Sequence, residues 1–317
     1  MPKISVIMPM YNTKPERFKI AIQLFGHLRT YKKCFPALKK HLLNKYNCDI
    51  FIHTWDTIDH NTKTWHKNKC KNAIEKVNKN EIVSLYHPKT IKIEKQISNN
   101  LGVLTANNRQ ISILGITSMF YSMQQVNELR RQYEIENSVK YDFVICLRPD
   151  ILLLEDFNIE NFIKKYETSE LEQTVFHAGN CIADNFDFQW MGGEDTLFFT
   201  KPEASNKIFK KLENFTHYLK ENLKISYGPE YFLVQAENDK NLKPVLLKYF
   251  FGTHYYILRP FSWKNFRRQL ISLKIKKGKV LISFLTNVKC FSFSLNISFF
   301  GSLNICFQLG RKKYGIS

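Results

Sequence analysis

Apolar runs alternate with amphipathic stretches along most of the chain, and their order predicts a sheet covered by helices. Continuous apolar runs typical of buried strands occupy residues 18–25, 48–53 and 141–147. Amphipathic helices are predicted over residues 32–46 and 106–137, the latter with a methionine and aromatic stripe typical of a core-facing side. Further strands are expected at 81–86, 90–93, 173–177, 195–200 and 243–249, and further helices at 159–166, 203–221 and 228–238. This alternation indicates an α/β fold with a mostly parallel central sheet flanked by helices.

The first strand of this sheet has two candidates, residues 4–8 and residues 18–25. The roughly ten residues between them are too few for the crossover that joins neighbouring parallel strands. Because the second run leads directly into the turn at residues 26–30 and the helix at 32–46, we interpret it as the first core strand. Residues 1–17 are then an N-terminal extension or an edge strand. The alternative, in which residues 4–8 form the core strand, stays open.

The last part of the chain has another pattern. Residues 290–299 alternate strictly between apolar and polar side chains, which is the period of a half-buried strand. A Gly-Ser turn leads into a second alternating run at 303–307, and an earlier strand is expected around 279–288. We therefore predict three parts, an extension at 1–17, an α/β domain at 18–258 and a small basic β-hairpin appendage at 259–317.

Positive charge is concentrated in the same part of the chain. The formal net charge is +19, and no acidic residue follows Asp239, whereas residues 240–317 contain 15 Lys and Arg. A basic segment of this kind favours an anionic membrane surface or a phosphate-bearing partner, and a solvated basic surface is the alternative. The segment has no RGG repeats, aromatic RNA-binding strings or zinc knuckles, so nucleic acid is not an expected partner.

Cysteine usage and hydropathy bear on the compartment. The seven cysteines are scattered without CxxC spacing, which argues against a disulfide framework or a zinc site and favours a reducing environment. The chain does not open on a basic segment followed by an apolar one, and no run offers the ~18 apolar residues of a spanning helix. A cytoplasmic protein is expected, with peripheral contact at the inner face of the cytoplasmic membrane through the basic tail.

Polar side chains follow three predicted strands directly, at the edge where parallel sheets bind ligands. After the first strand, a glycine permits close approach of the backbone and two basic side chains can face phosphate oxygens. After the second, an indole ring and a carboxylate suit a base and a ribose. The third strand is followed by Arg148 and, two residues later, by the carboxylate of Asp150. The candidate nucleotide-binding residues are Gly26, His27, Arg29, Thr30, His53, Trp55, Asp56 and Arg148.

Carboxylates and a histidine complete the candidate chemistry. Asp150 follows the strand at 141–147, where a carboxylate can bind a divalent ion that bridges a diphosphate. Glu194 and Asp195 follow two glycines, and paired carboxylates on such a loop suit a general base, although a helix or strand cap is an alternative. His254 follows the strand at 243–249 and is either a further metal ligand or a hydrogen-bonded core histidine.

Four segments together resemble bacterial glycosyltransferases of the GT-A type, from the group that builds capsular polysaccharide or lipooligosaccharide. They are KIAIQLFGHLRTY, CDIFIHTWD, YDFVICLRPDILL and the later GGED, and they extend roughly over residues 18–256. The resemblance implies a Rossmann-like GT-A domain, a nucleotide-sugar donor, and a lipid-linked or growing glycan as the acceptor.

The resemblance also implies roles for individual residues. The DxD position of the family has the sequence Arg148-Pro149-Asp150 here, so only Asp150 matches the metal ligand, with His254 as the late histidine ligand of Mn²⁺ or Mg²⁺. Asp195 matches the catalytic base, with Glu194 as the reserve. A non-catalytic nucleic-acid or membrane-surface binder on an α/β scaffold is the alternative. A nucleotidyltransferase would need a glycine-rich loop with a basic residue near its start, and no such run occurs.

Overall fold

The structure is a computed structural model, and the chain divides into two compact units, Met1–Pro260 and Phe261–Ser317. The residues that the structure describes are 18–60, 73–96, 103–106, 109–179, 195–213, 215, 229–259, 275–276, 279–286, 289–297 and 303–304.

The first unit contains eleven strands and seven α-helices among its described residues. The strands are β1 (Lys19–Phe25), β2 (Asn47–Trp55), β3 (Thr90–Glu94), β4 (Val103–Ala106), β5 (Arg109–Ser112), β6 (Phe143–Leu147), β7 (Ile151–Leu153), β8 (Thr174–Gly179), β9 (Leu197–Thr200), β10 (Lys243–Phe250) and β11 (Tyr255–Ile257). The helices are α1 (Tyr31–Leu38), which continues as a π-helical turn at Lys39–Leu43, α2 (Lys79–Tyr86), α3 (Ile113–Asn137), α4 (Ile159–Ile163), α5 (Thr168–Leu171), α6 (Pro202–Lys211) and α7 (Pro229–Asn238).

A seven-stranded sheet with the order β10-β8-β9-β6-β1-β2-β3 lies at the centre of this unit. Strands β3, β2, β1 and β6 are mutually parallel, as are β8 and β10, and β9 is antiparallel to both of its neighbours. Leu24 of β1 pairs with Ile52 of β2 and with Leu147, the last residue of β6. The three strands therefore end at the same edge of the sheet, with β1 extending one residue and β2 three residues beyond β6. The predicted α/β fold with a mostly parallel sheet is confirmed.

Alternate residues of β1 face two different cores, because successive side chains of a strand point to opposite faces. Ile20, Ile22 and Leu24 belong to the cluster that also contains the buried face of α1. Ala21 and Phe25 belong to the cluster that contains the buried face of α3. The prediction that residues 18–25 form a core strand is confirmed, since β1 is buried on both faces inside the sheet. Residues 1–17 lie outside the described residues.

The strand prediction for residues 81–86 is wrong, because this segment belongs to helix α2. The Asn78 side chain accepts a hydrogen bond from the Glu81 amide at 3.3 Å and caps the first turn. The helix ends at His87, which has a left-handed φ of 45° and precedes Pro88. The apolar side chains of this segment fit a helical period as well as a strand, and the caps decide between the two.

The helix predicted over residues 106–137 begins later than expected. Strands β4 and β5 form an antiparallel pair before it, and α3 starts at Ile113. The Ser112 side chain accepts a hydrogen bond from the Gly115 amide at 3.2 Å, which fixes this start.

The second unit contains an antiparallel sheet with the order β12-β13-β14-β15. Its strands are β12 (Ile275–Lys276), β13 (Lys279–Thr286), β14 (Lys289–Ile297) and β15 (Leu303–Asn304). Across the described part of the whole chain, every helix is too short or too polar to cross a lipid bilayer.

Candidate functional site

The turn after β1 has an unusual backbone at two positions. Gly26 has a φ of 85°, a conformation that glycine adopts without strain, and its amide donates to Ser122 Oγ at 2.7 Å. Arg29 has a φ of 49°, which is uncommon for a residue with a side chain and costs on the order of 1–3 kcal/mol. The Arg29 amide donates to the Ile58 carbonyl at 3.0 Å and thereby holds this conformation. The turn therefore fixes the direction in which the Arg29 side chain leaves the backbone.

Asp150 lies at the carboxyl end of β6 in contact with three guanidinium groups. Arg148 donates to both of its carboxylate oxygens, from Nε at 2.9 Å and from Nη2 at 2.7 Å. Nη1 of Arg29 lies 3.3 Å from Asp150 Oδ2, and Nη1 of Arg259 lies 3.2 Å from the same oxygen. Burial alone would raise the pKa of Asp150, but the guanidinium charges outweigh it and hold that pKa below its usual range. Asp150 is therefore an ionised, fully buried carboxylate among arginines.

A second carboxylate, Asp59, also contacts this cluster. Its Oδ1 accepts a hydrogen bond from Nε of Arg29 at 2.8 Å. Burial would raise the pKa of Asp59, but the Arg29 charge and hydrogen bond outweigh it and lower the pKa to about 2. The sequence interpretation missed Asp59, although it follows β2 by only four residues in the same polar stretch as Asp56.

Arg259 also contacts Asp150, although it lies at the C-terminal end of the first unit in the sequence. Strand β11 pairs antiparallel with β7, with Ile257 opposite Ile151. Just beyond this pair, the Leu258 amide donates to the Asp150 carbonyl at 2.8 Å, and the Thr30 hydroxyl donates to the Leu258 carbonyl. The sequence interpretation assigned Arg259 to the basic appendage. Its backbone contacts instead fix it beside Asp150.

Asp195 lies at the same edge of the sheet because β9 is antiparallel to β6 and begins where β6 ends. The Arg148 amide donates to the carbonyl of Thr196, the next residue, at 3.2 Å. Burial raises the pKa of Asp195, and the nearby Arg148 charge lowers it without cancelling that rise. Among the described residues this is a buried carboxylate whose proton affinity is increased. Glu194 lies outside the described residues.

His27 is buried and uncharged, which differs from the predicted cationic contact with phosphate. Its Nδ1 donates to the Thr57 carbonyl at 3.1 Å, and its Nε2 lies 3.2 Å from the Gln96 side-chain amide. Burial, followed by the charge of Arg29, lowers the pKa of His27 to about 3. His27 therefore supports the turn after β1, and Arg29 is the cation of this segment.

His53 also has a supporting position. Its Nε2 donates to Glu94 Oε2 at 2.8 Å, so its Nδ1 is left to accept a hydrogen bond from Ser122 Oγ at 2.7 Å. Ser122 in turn receives the amide of Gly26. Burial lowers the pKa of His53, consistent with this neutral form. The chain Glu94–His53–Ser122–Gly26 connects the ends of β1, β2 and β3 to helix α3.

Trp55 is not available as an open platform for a base, because its ring is buried. The Tyr121 ring stacks on it with centroids 5.8 Å apart and an interplanar angle of 20°, and the His53 ring meets it edge-on at 5.1 Å. Tyr121 is 37% exposed and is the outer ring of this stack. The sequence interpretation treated the α3 stripe as core and missed Tyr121. Asp56 is half-buried and ion-paired with Lys76, and its contact with a ribose stays a prediction.

The two predicted metal ligands, Asp150 and His254, do not lie together in the described part of the chain. His254 Nδ1 accepts a hydrogen bond from the Phe250 amide at 2.9 Å. The register of β7 and β11 places His254 and Asp150 at opposite ends of that strand pair, roughly 13 Å apart at 3.3 Å per residue. Across the residues that the structure describes, no group of three His, Cys, Asp or Glu side chains could hold a metal ion. The assignment of Asp150 and His254 to one Mn²⁺ or Mg²⁺ is therefore corrected, since guanidinium groups surround Asp150.

Comparison with known proteins gives one family match. Residues 15–172 match a family described as a domain of unknown function (DUF7796). The matched segment contains Arg29, Asp59, Arg148 and Asp150, whereas Asp195 and Arg259 lie beyond it. No curated protein matches the chain.

Proposed function

We propose that the protein is a glycosyltransferase of the GT-A type, which moves a sugar from a nucleotide-sugar donor to a lipid-linked or growing surface glycan of a capsule or lipooligosaccharide. The observation that carries this proposal is that Arg148 and Asp195 are near neighbours at the carboxyl edge of the parallel strands, where the Arg148 amide donates to the Thr196 carbonyl and the Arg148 charge acts on Asp195. In parallel α/β sheets this edge is where ligands bind. In a direct displacement that inverts the anomeric carbon, a cation can stabilise the leaving phosphate and a carboxylate can take the acceptor proton.

In the proposed reaction Asp195 is the general base. An acceptor hydroxyl oxygen forms a bond to the anomeric carbon of the donor sugar while the bond from that carbon to the diphosphate oxygen breaks. The hydroxyl proton passes to Asp195, and the nucleoside diphosphate leaves with the electron pair of the broken bond. The raised pKa of Asp195 supports this role, because proton transfer is most effective when the pKa of the base is near the working pH.

The binding side of the proposal uses the turn after β1. The Arg29 side chain is fixed by a strained backbone and two carboxylates, and strain of this kind clusters at functional sites. Tyr121 offers an exposed ring backed by Trp55, which suits stacking of a nucleotide base. We further propose that the basic segment 261–317 holds the enzyme at the inner face of the cytoplasmic membrane.

The test is a screen of the full-length protein against UDP-, GDP- and dTDP-sugars, with a CMP-sugar, which carries only a monophosphate, as the contrast. Donor hydrolysis and thermal stabilisation are the readouts. We expect one donor class to raise the melting temperature and to be hydrolysed slowly without acceptor. Asp195→Asn should remove hydrolysis and keep the stabilisation, whereas Asp239→Asn, a surface carboxylate paired with Lys211, should change neither. Hydrolysis that is unchanged in Asp195→Asn, or stabilisation by none of the donors, would overturn the proposal.

A further inference from the structure

The carboxylate predicted to hold a metal ion is enclosed by cations. We propose that Arg29, Arg148 and Arg259 form a diphosphate-binding site that takes the place of a divalent metal ion, so that the donor binds without metal. This inference deepens the proposed function and rests on it for the identity of the diphosphate as part of a nucleotide sugar.

The three guanidinium groups already converge on one anion. Four contacts of 2.7–3.3 Å connect them to the two oxygens of the fully buried Asp150 carboxylate. Asp150 therefore keeps three cations together that would otherwise repel one another. A phosphate group offers the same kind of oxygens, and guanidinium forks match its geometry well. The arrangement is organised for an oxyanion before any ligand arrives.

The cluster has capacity for a further anion. Each guanidinium carries five N–H donors, and the contacts with Asp150 and Asp59 use one or two of them per arginine. The three arginine side chains are 12–14% exposed, so part of each reaches the surface. Three guanidinium charges face the carboxylates of Asp59 and Asp150, and Asp195 is a third carboxylate close to Arg148. The group is neutral when Asp195 is ionised and carries one excess positive charge when Asp195 is protonated.

The surroundings of the Arg259 guanidinium also favour an added anion. Burial, followed by the charge of Arg29, lowers the pKa of Arg259 to about 9, and Asp150 only partly offsets this. The guanidinium stays protonated near pH 7, but it is buried and has two other guanidinium groups near it, which disfavours its charge. An added anion would stabilise that charge, whereas a divalent cation approaching Asp150 would add to the repulsion. The cluster therefore favours a diphosphate over a metal ion.

The backbone is fixed at each of the three arginines. The strained φ of Arg29 sets the first side chain, and the strand end at Leu147 sets Arg148. The hydrogen bonds of Leu258 to Thr30 and Asp150 set Arg259. A site held in this way loses little freedom when it binds a ligand, which favours affinity.

The experiment is isothermal titration of the full-length protein with inorganic pyrophosphate in buffer containing EDTA. We expect saturable binding that weakens as salt is raised. Arg259→Gln should weaken it about tenfold or more, because a charge-assisted hydrogen bond is lost. Arg131→Gln, an exposed arginine paired with Glu128 on α3, is the matched control and should bind as the wild type does. Arg29→Gln provides a second reading if Arg259→Gln fails to fold by circular dichroism.

Two results would overturn this inference. One is pyrophosphate binding that appears only after EDTA is replaced by Mn²⁺ or Mg²⁺. The other is unchanged affinity in both folded arginine variants. Its failure is distinguishable from failure of the proposed function. Metal-dependent turnover of a nucleotide sugar would contradict the arginine site and support the proposed enzyme. Pyrophosphate binding in EDTA without turnover of any donor would support the arginine site and contradict the proposed enzyme.

Discussion

Arg148 donates two hydrogen bonds to the carboxylate of Asp150, which lies only two residues further along the chain. The two side chains form a closed pair at the end of β6, in the place where the sequence pattern predicted a metal-binding carboxylate. A bidentate pair of this kind depends on the planar fork of arginine, and lysine cannot reproduce it.

We therefore expect Arg148→Lys to raise the KM for the donor about tenfold with a smaller change in kcat. The reason is that a cation-to-phosphate contact is made in the ground state as well as in the transition state. Steady-state kinetics with the donor identified in the screen measures this effect, with Arg131→Lys as the control. A pure loss of kcat would instead place Arg148 at the reacting atoms alone.

Asp195→Asn is expected to lower kcat by about 10²- to 10⁴-fold, which is the usual contribution of a general base. Donor affinity should change little, because the asparagine keeps the shape of the side chain. Single-turnover kinetics with saturating donor separates the chemical step from binding. A variant that keeps more than a tenth of the wild-type rate would show that another group accepts the proton.

The pH profile of the wild type follows from the raised pKa of Asp195. The base acts in its ionised form, so the rate falls as the pH decreases through that raised pKa. We expect the acid limb of kcat/KM to lie above about pH 4, the ordinary range of an aspartate. In Arg148→Gln the limb should move further up, because a charge that lowers the pKa of Asp195 is gone. An acid limb at or below pH 4 in the wild type contradicts the assignment.

Stability should fall in acid because of Asp59, whose pKa is about 2 in the folded protein against an ordinary value of 3.8. A carboxylate with a lowered pKa contributes stability that is complete above its unfolded pKa and is lost as the pH falls through its folded pKa. The shift corresponds to about 2 kcal/mol, lost between pH 4 and pH 2. Urea unfolding of the wild type and Asp59→Asn over this range measures it. If the free energy of unfolding decreases equally with falling pH in the two proteins, Asp59 does not contribute to the loss of stability in acid.

Ser122→Ala should destabilise the fold by about 1–3 kcal/mol, because the Gly26 amide and His53 Nδ1 both lose a buried partner. Ser84→Ala, on the exposed side of α2, is the control and should be nearly neutral. Chemical denaturation gives the free energy of unfolding for both variants. Loss of donor binding in Ser122→Ala at temperatures where it is fully folded would show that this hydrogen-bond chain also positions the turn of Arg29.

Much of the sheet was predictable from the apolar runs. Strands β1, β2 and β6 are buried on both faces, so their composition alone distinguishes them from amphipathic elements. The polar residues that follow these strands stand out against the apolar runs before them. Arg29 and Arg148 are therefore among the expected site residues. Helix α2 was not, because its short apolar pattern fits either period and only the cap at Asn78 decides.

The remaining site residues depend on contacts that a linear pattern does not contain. Arg259 meets Asp150 only because β11 pairs with β7, and nothing near Arg259 in the sequence signals that pairing. Tyr121 is one residue past the fully buried Phe120 and lies off the buried stripe of α3, so its spacing does not signal its stacking on Trp55. His27 and Trp55 follow strands as expected, but burial removes the charge of one and covers the ring of the other.

The hydrogen bonds of Leu258 join residues that are synthesised at very different times. Thr30 and Asp150 are made early, whereas Leu258 and Arg259 leave the ribosome about a hundred residues after Asp150. At common synthesis rates this interval is about 5–20 s. During it, β1, β2, β3 and β6 can pair while the anion site still lacks one of its three cations. The growing chain can thus pair these strands before Arg259 reaches Asp150, and a product that ends before Arg259 would lack one of the three cations of the proposed anion site.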